Sequence, residues 1–168
     1  MAVLTDLVQI ERLGRQKKTE NARFRAYLKR HDYSDRRLRR MAEAIESQID
    51  CTQCANCCRE GEAGVSARDI EKLAKFIGVS RQEFLEKFTM RASDGELILK
   101  RTQTGCVFLK DNLCTVYEAR PKSCAHYPHL VRGDGSIASR MWLMPERAVY
   151  CPIVYNWLEA VKQEMGFR

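Results

Sequence analysis

Four cysteines stand within eight residues, Cys51-Thr-Gln-Cys54-Ala-Asn-Cys57-Cys58, and four more follow at Cys106, Cys114, Cys124 and Cys151. Two residues between thiols make a tight loop that aims successive sulfurs at a common point. Thiolates are soft ligands suited to zinc and to iron–sulfur clusters. Each must shed its proton to bind, and a cation favours that loss. A chain of 168 residues that is 45% hydrophobic can bury a core without cross-links. The thiols are therefore not needed as disulfides to hold a small fold together.

The setting expected for these thiols is a reducing one. The first residues carry Asp6 and Glu11 and lack both a basic leader and a cleavage site, so neither an export signal nor a transit peptide is expected. No segment reaches the roughly 18 apolar residues that span a bilayer. The expectation is a cytoplasmic protein with no membrane partner, where clustered thiols bind metal or do redox chemistry.

All eight cysteines are candidate metal ligands. Eight thiolates exceed the need of one tetrahedral ion; they fill two four-coordinate sites, or one site with thiols to spare. Neighbouring side chains tend to diverge, so Cys51, Cys54 and Cys57 are expected at one centre. Cys58 would then turn to another centre or to the core. The run followed by a distant Cys151-Pro152 resembles the bacterial ferredoxin pattern. That points to an iron–sulfur cluster ahead of zinc, and zinc stays open. His126 and His129 follow Cys124 closely, and are expected to be ordinary polar residues of a loop rather than ligands.

Around the cysteines the pattern is mostly helical. Two helices are expected in the first fifty residues. The first carries Val3, Leu4, Leu7 and Val8, continued weakly by Phe24, Tyr27 and Leu28. The second follows an N-cap at Ser34 and carries Leu38, Met41, Ala42, Ile45 and Ile49 on one stripe. Ser66 to Asp69 opens a helix ending at Gly78, and Ser80-Arg-Gln-Glu83 is a capping box opening another. Short strands are expected at 96–101 and 106–109, and a helical turn at 115–118. A hairpin is expected over 129–144, turning at Arg132-Gly-Asp-Gly-Ser136. A closing helix is expected from Pro152 to Met165. No internal repeat is visible.

The net charge is +7, and residues 1–50 hold twelve Lys and Arg against eight Asp and Glu. Such helices could dock on RNA or on an acidic protein partner. Arginines spread over several faces read more readily as a solvated surface, and with few aromatics no stacking platform is evident. No phosphate-binding glycine loop, nucleophile elbow or zinc-protease motif is present.

The run Cys51-x2-Cys54-x2-Cys57-Cys58, then Cys106-Val-Phe-Leu, Cys114-Thr-Val-Tyr-Glu-Ala-Arg120-Pro121, Cys124 and Tyr127-Pro128 resembles the CxxCxxCC, or YkgJ-type, cysteine-cluster proteins. The resemblance covers about residues 50–155. It implies a zinc- or iron-chelating domain. A related domain occurs in bacterial flagellin lysine methylases, enzymes far longer than this chain. The family carries a basic residue after the cysteine matching Cys124, where Ala125 stands here.

The expected fold is mainly α with a few short β-strands, a small α+β architecture. A basic helical hairpin over 1–50 precedes a metal-centred cysteine domain over 51–168. The expected function is metal chelation. A cluster-dependent redox or methyl-transfer enzyme, and a metal-folded interaction module, are the alternatives.

Overall fold

The computed structural model describes residues 3–167. Met1, Ala2 and Arg168, at the outer ends of the two expected domains, lie outside the described residues. Three helices occupy the first fifty residues: α1 (Leu7–Gln16), α2 (Lys18–Arg30) and α3 (Asp35–Glu46). The cysteine run forms two short helices, α4 (Cys51–Cys54) and α5 (Asn56–Glu60). Then come α6 (Ala67–Ile77) and α7 (Arg81–Phe88). Six short strands follow: β1 (Thr89–Arg91), β2 (Leu97–Leu99), β3 (Arg101–Thr102), β4 (Gly105–Cys106), β5 (Leu109–Lys110) and β6 (Leu113–Cys114). A 3-10 turn at Tyr117–Ala119 leads to α8 (Lys122–Ala125). The chain ends with α9 (Ile137–Arg140), a 3-10 turn at Met141–Leu143, α10 (Met144–Arg147) and α11 (Pro152–Glu164). This is a mainly helical α+β fold, as the sequence leads one to expect.

The chain falls into two compact units, Met1–Asp50 with Tyr127–Arg168, and Cys51–His126. Residues 127–168 group with the first fifty residues rather than with the cysteine segment. The reason is apolar burial. Phe24, Leu28, Leu38, Ala42 and Ile45 form one core with Leu130, Ile137, Met141, Met144, Trp157, Leu158 and Val161.

In this first unit, α11 is the central element, buried along most of its length. Pro152 sits in its first turn, where no N–H is required. Trp157 is fully buried and donates its indole N–H to Leu38 O at 3.0 Å. Lys162, also buried, is held by Glu20, Glu159 and the Asn21 amide oxygen, so its charge is paired. Gly14 permits close packing: a Cβ there would lie 2.6 Å from Ala148 O. Trp157→Ala is expected to cost this unit about 3–5 kcal/mol through the cavity it leaves, read as a fall in the denaturation midpoint.

Two expectations for this unit change. The first helix is interrupted at Lys17, whose backbone (φ −90, ψ 5) closes α1 with bonds to Arg15 O and Leu13 O and reopens as α2. The hairpin over 129–144 does not form. Ser136 caps α9 by accepting the Ser139 N–H, and Asp35 accepts the Ile137 N–H at 2.5 Å. Arg39 binds Val131 O and Gly135 O, and Arg140 binds His129 O. The glycine-rich stretch is thereby a side-chain-braced loop, and Ile137, Met141, Met144 and Ala148 bury on a helical spacing.

The second unit has its own core of Ile70, Leu73, Ala74, Phe84, Leu99, Phe108, Val116 and Ala119. The Ser66 to Asp69 capping box is complete, and Gly78 ends α6 in the left-handed conformation (φ +77). Ser80 caps α7 by accepting the Glu83 N–H, while the Glu83 carboxylate pairs with Lys87. The strands form three separate antiparallel pairs, β1 with β2, β3 with β4, and β5 with β6. Among the described residues no helix is long and apolar enough to cross a membrane.

Candidate metal centre

Local backbone geometry sets the positions of the thiols. Ala55, buried and left-handed at φ +46, breaks the run into α4 and α5. Cys51 and Cys54 lie on the first, Cys57 and Cys58 on the second. The carbonyls at the end of α5 are satisfied by one residue: Arg101 donates to both Arg59 O and Gly61 O. Arg59 donates in turn to Cys54 O at 2.9 Å and to the Asn112 side chain.

Cys106 and Cys114 come from two hairpins of matching register, with different turns. In the first, Arg101 faces Cys106 and Thr102 faces Gly105; in the second, Leu109 faces Cys114 and Lys110 faces Leu113. Each has a two-residue loop. Asp111 and Asn112 both take positive φ (48 and 65), the type I′ signature. The residue after each cysteine closes an equivalent backbone bond, Val107 to Lys100 O and Thr115 to Phe108 O, both at 2.9 Å. The sulfurs are treated alike too: Cys106 accepts the Phe108 N–H and Cys114 the Val116 N–H. An eight-residue unit is thus used twice, a repeat that sequence inspection misses.

Both hairpins dock on the cysteine run. Gly105, at φ +128, lies so close to α5 that a Cβ there would stand 2.6 Å from Cys58 O. The second hairpin engages through Asn112, which donates to Gln53 O at 3.3 Å. Cys124 arrives on α8. That helix is tied to α6 by Asp69, which accepts the Lys122 N–H at 2.9 Å, and to the segment before α6 by Ser123, which donates to Gly64 O at 2.7 Å. Burial works against the Asp69 charge, yet the bonds from Ser66 and Lys122, with Lys72 nearby, hold it below the usual carboxylate range.

Electrostatics show which sulfurs are neighbours. Burial pushes the Cys124 thiol up to about 12, aided by the charges of Cys106, Cys58 and Cys114. Burial also raises Cys106 and Cys114, and each feels Cys58. Cys58 is the exception: a hydrogen bond from Cys57, with Arg59 beside it, lowers it to about 7 against partial burial. Arg101 and Arg120 exert the same favourable pull on Cys106 and Cys114. Four thiols from four elements therefore share one region, with an arginine beside three of them. Among the described residues no three Cys, His, Asp or Glu side chains are drawn into a group that could hold a metal ion. The four sulfurs are electrostatic neighbours rather than a closed coordination shell. The chemistry of the donor set, soft and rich in negative charge once ionised, suits a thiophilic cation.

The remaining predicted ligands are placed differently. Cys51 is exposed, and Cys54 and Cys57 are half-buried. Cys57 shares a hydrogen bond with Cys58. Cys151 precedes α11 and is buried in the apolar core of the first unit. His126 closes α8 in the second unit, and His129 (φ +67) lies in the braced loop of the first. The Arg120 guanidinium lies 3.7 Å over the Tyr117 ring. Arg59, Arg101 and Asp69 organise the region and carry no sequence signal beyond proximity to cysteines or to a helix start.

No solved structure matches the chain. The profile of the CxxCxxCC family, described as a putative zinc- or iron-chelating domain, matches residues 50–152. That span is more than half of the sequence and contains the run, both hairpins and α8, so the chain belongs to the CxxCxxCC family.

Proposed function

We propose that the chain is a metal-chelating protein with one tetrathiolate centre, formed by Cys58, Cys106, Cys114 and Cys124. The reading is supported by the raised thiols of Cys106, Cys114 and Cys124, each of which lies near enough to feel the charge of Cys58. Ionising all four without a cation would set four negative charges against one another in a partly buried region. A bound metal relieves that repulsion, and Arg59, Arg101 and Arg120 offset the residual charge. The paired hairpins, each with a backbone N–H aimed at its sulfur, favour a four-coordinate ion such as zinc. An iron–sulfur cluster is the alternative, and it would draw on the Cys51-x2-Cys54-x2-Cys57 run in place of part of this set. The Cys151-Pro152 pair gives that second reading less support than its sequence suggests, since Pro152 is accounted for as a helix start.

Anaerobic purification, elemental analysis and a visible spectrum test the proposal. Zinc in a colourless protein, or iron with a brown absorbance, supports it and names the metal. A protein free of both metals contradicts it.

The thiol chemistry also sets a pH dependence. Cys106, Cys114 and Cys124 lie above the ordinary value of 9.0, whereas Cys58 lies at about 7. Between pH 7.5 and 9, metal binding must therefore displace about three protons. The logarithm of zinc affinity should rise by about three for each pH unit there, measured by competition with a chelator. A slope near one would contradict the four-thiol set. Without metal the sign reverses. The folded chain holds the Cys124 proton more tightly than the unfolded chain does. Its contribution to stability is whole below 9.0 and is lost as pH rises through about 12.

A further inference from the structure

We propose that α2 and α3 of the first unit form a docking surface for a nucleic-acid backbone, a role separate from metal chelation. The argument begins with charge accounting. The carboxylates of Glu20, Asp35, Glu46, Glu146, Glu159 and Glu164 are each committed to a cation of the same unit. The surplus is positive. Among the described residues Arg25, Lys29, Arg30, Arg36 and Arg40 make no ion pair. All but Arg25 are exposed.

Their placement is ordered. Lys29 and Arg30 end α2, and Arg36 and Arg40 stand one turn apart on α3. Asp35, Arg36, Arg39, Arg40 and Glu43 line an open, shallow patch on α3. Two of these groups are already engaged: Asp35 holds Arg39 and the Ile137 N–H, and Arg39 also holds two carbonyls. Arg36 and Arg40 are left to meet a ligand, with Glu43 as the opposing charge.

The chemistry of the surface favours phosphodiester over other polyanions. Guanidinium groups match phosphate oxygens through paired hydrogen bonds. A protein interface would want an aromatic anchor, and a membrane interface an apolar face. The exposed large apolar residues of this unit, Val8 and Trp142, lie on neither helix. Tyr27 is taken up by His31 and Phe167, and Phe24 is fully buried, so bases find no stacking platform. Recognition is therefore of the backbone, insensitive to sequence and steeply dependent on salt.

The full-length chain tests this by fluorescence anisotropy with labelled RNA and DNA duplexes, polyglutamate, and phosphatidylserine-containing vesicles. The expected result is duplex binding that weakens with salt, tighter than binding to polyglutamate or vesicles. The double variant Arg36→Gln, Arg40→Gln should bind at least about tenfold more weakly, with a log–log salt slope shallower by about two. Glu43→Gln should bind more tightly. These are exposed positions on a helix that accepts glutamine well, and unchanged metal content and circular dichroism confirm folding. Preference for RNA or for DNA names the natural backbone. No duplex binding at low salt, an unchanged slope in the double variant, or tighter binding to polyglutamate or to vesicles would overturn the proposal.

Discussion

Serine in place of Cys58, Cys106, Cys114 or Cys124 should lower metal affinity about a hundredfold, whereas serine at Cys151 should leave that affinity unchanged and weaken the fold instead. Structural zinc sites bind with about 10–16 kcal/mol at neutral pH. One ligand in four then answers for about 3 kcal/mol, or roughly a hundredfold in affinity. Cys151 lies in the apolar core of the first unit beside Pro152. A smaller, more polar side chain there costs about 1–3 kcal/mol of stability. Metal affinity by chelator competition and denaturation midpoint, measured on the same preparations, separate the two effects. Unchanged metal affinity in Cys106→Ser would remove that residue from the ligand set. Halved occupancy in Cys51→Ser, with the remainder tightly held, would argue for two centres rather than one.

The second large effect is expected from a residue that binds nothing. Gly105→Ala should separate Cys106 from Cys58 and lower metal affinity by tenfold or more, with the first unit unaffected. A methyl group at Gly105 would meet Cys58 O at 2.6 Å and the Arg59 Cα at 2.9 Å. Both are backbone atoms and cannot swing aside. The φ of +128 is itself unfavourable for any side chain. The hairpin must therefore lift from α5 or distort at its own turn, and either movement carries Cys106 with it. Gly95→Ala is the control. It also has positive φ, at +86, but open space around it, so it bears the backbone cost alone. A Gly105→Ala protein that binds metal as tightly as Gly95→Ala would show that the close approach does not position the thiol.

The sequence carries the helices more fully than the links between them. Leu38, Ala42 and Ile45 mark α3, and Ser66 with Asp69 marks the start of α6, because stripe and cap are local patterns. Arg132-Gly-Asp-Gly-Ser136 also looks like a local pattern, a hairpin turn. Its loop is instead fixed by Arg39 and Asp35 from about a hundred residues away. Long-range donors of that kind leave no periodic trace. The doubled hairpin was hidden for a related reason. The two copies share a backbone register and a cysteine, but Gly105 corresponds to Leu113 and Phe108 to Val116. Cys151 shows the limit of residue type: a thiol in an apolar core and a thiol among other thiols are the same letter. What separates them is which neighbours the fold supplies.

The metal content of the anaerobically purified chain tests the central claim most directly, compared between the natural sequence and the double variant Cys106→Ser, Cys114→Ser. The tetrathiolate reading predicts about one zinc ion or one iron–sulfur cluster per natural chain and neither in the variant. A natural chain without metal, or a double variant that keeps its full complement, would contradict it.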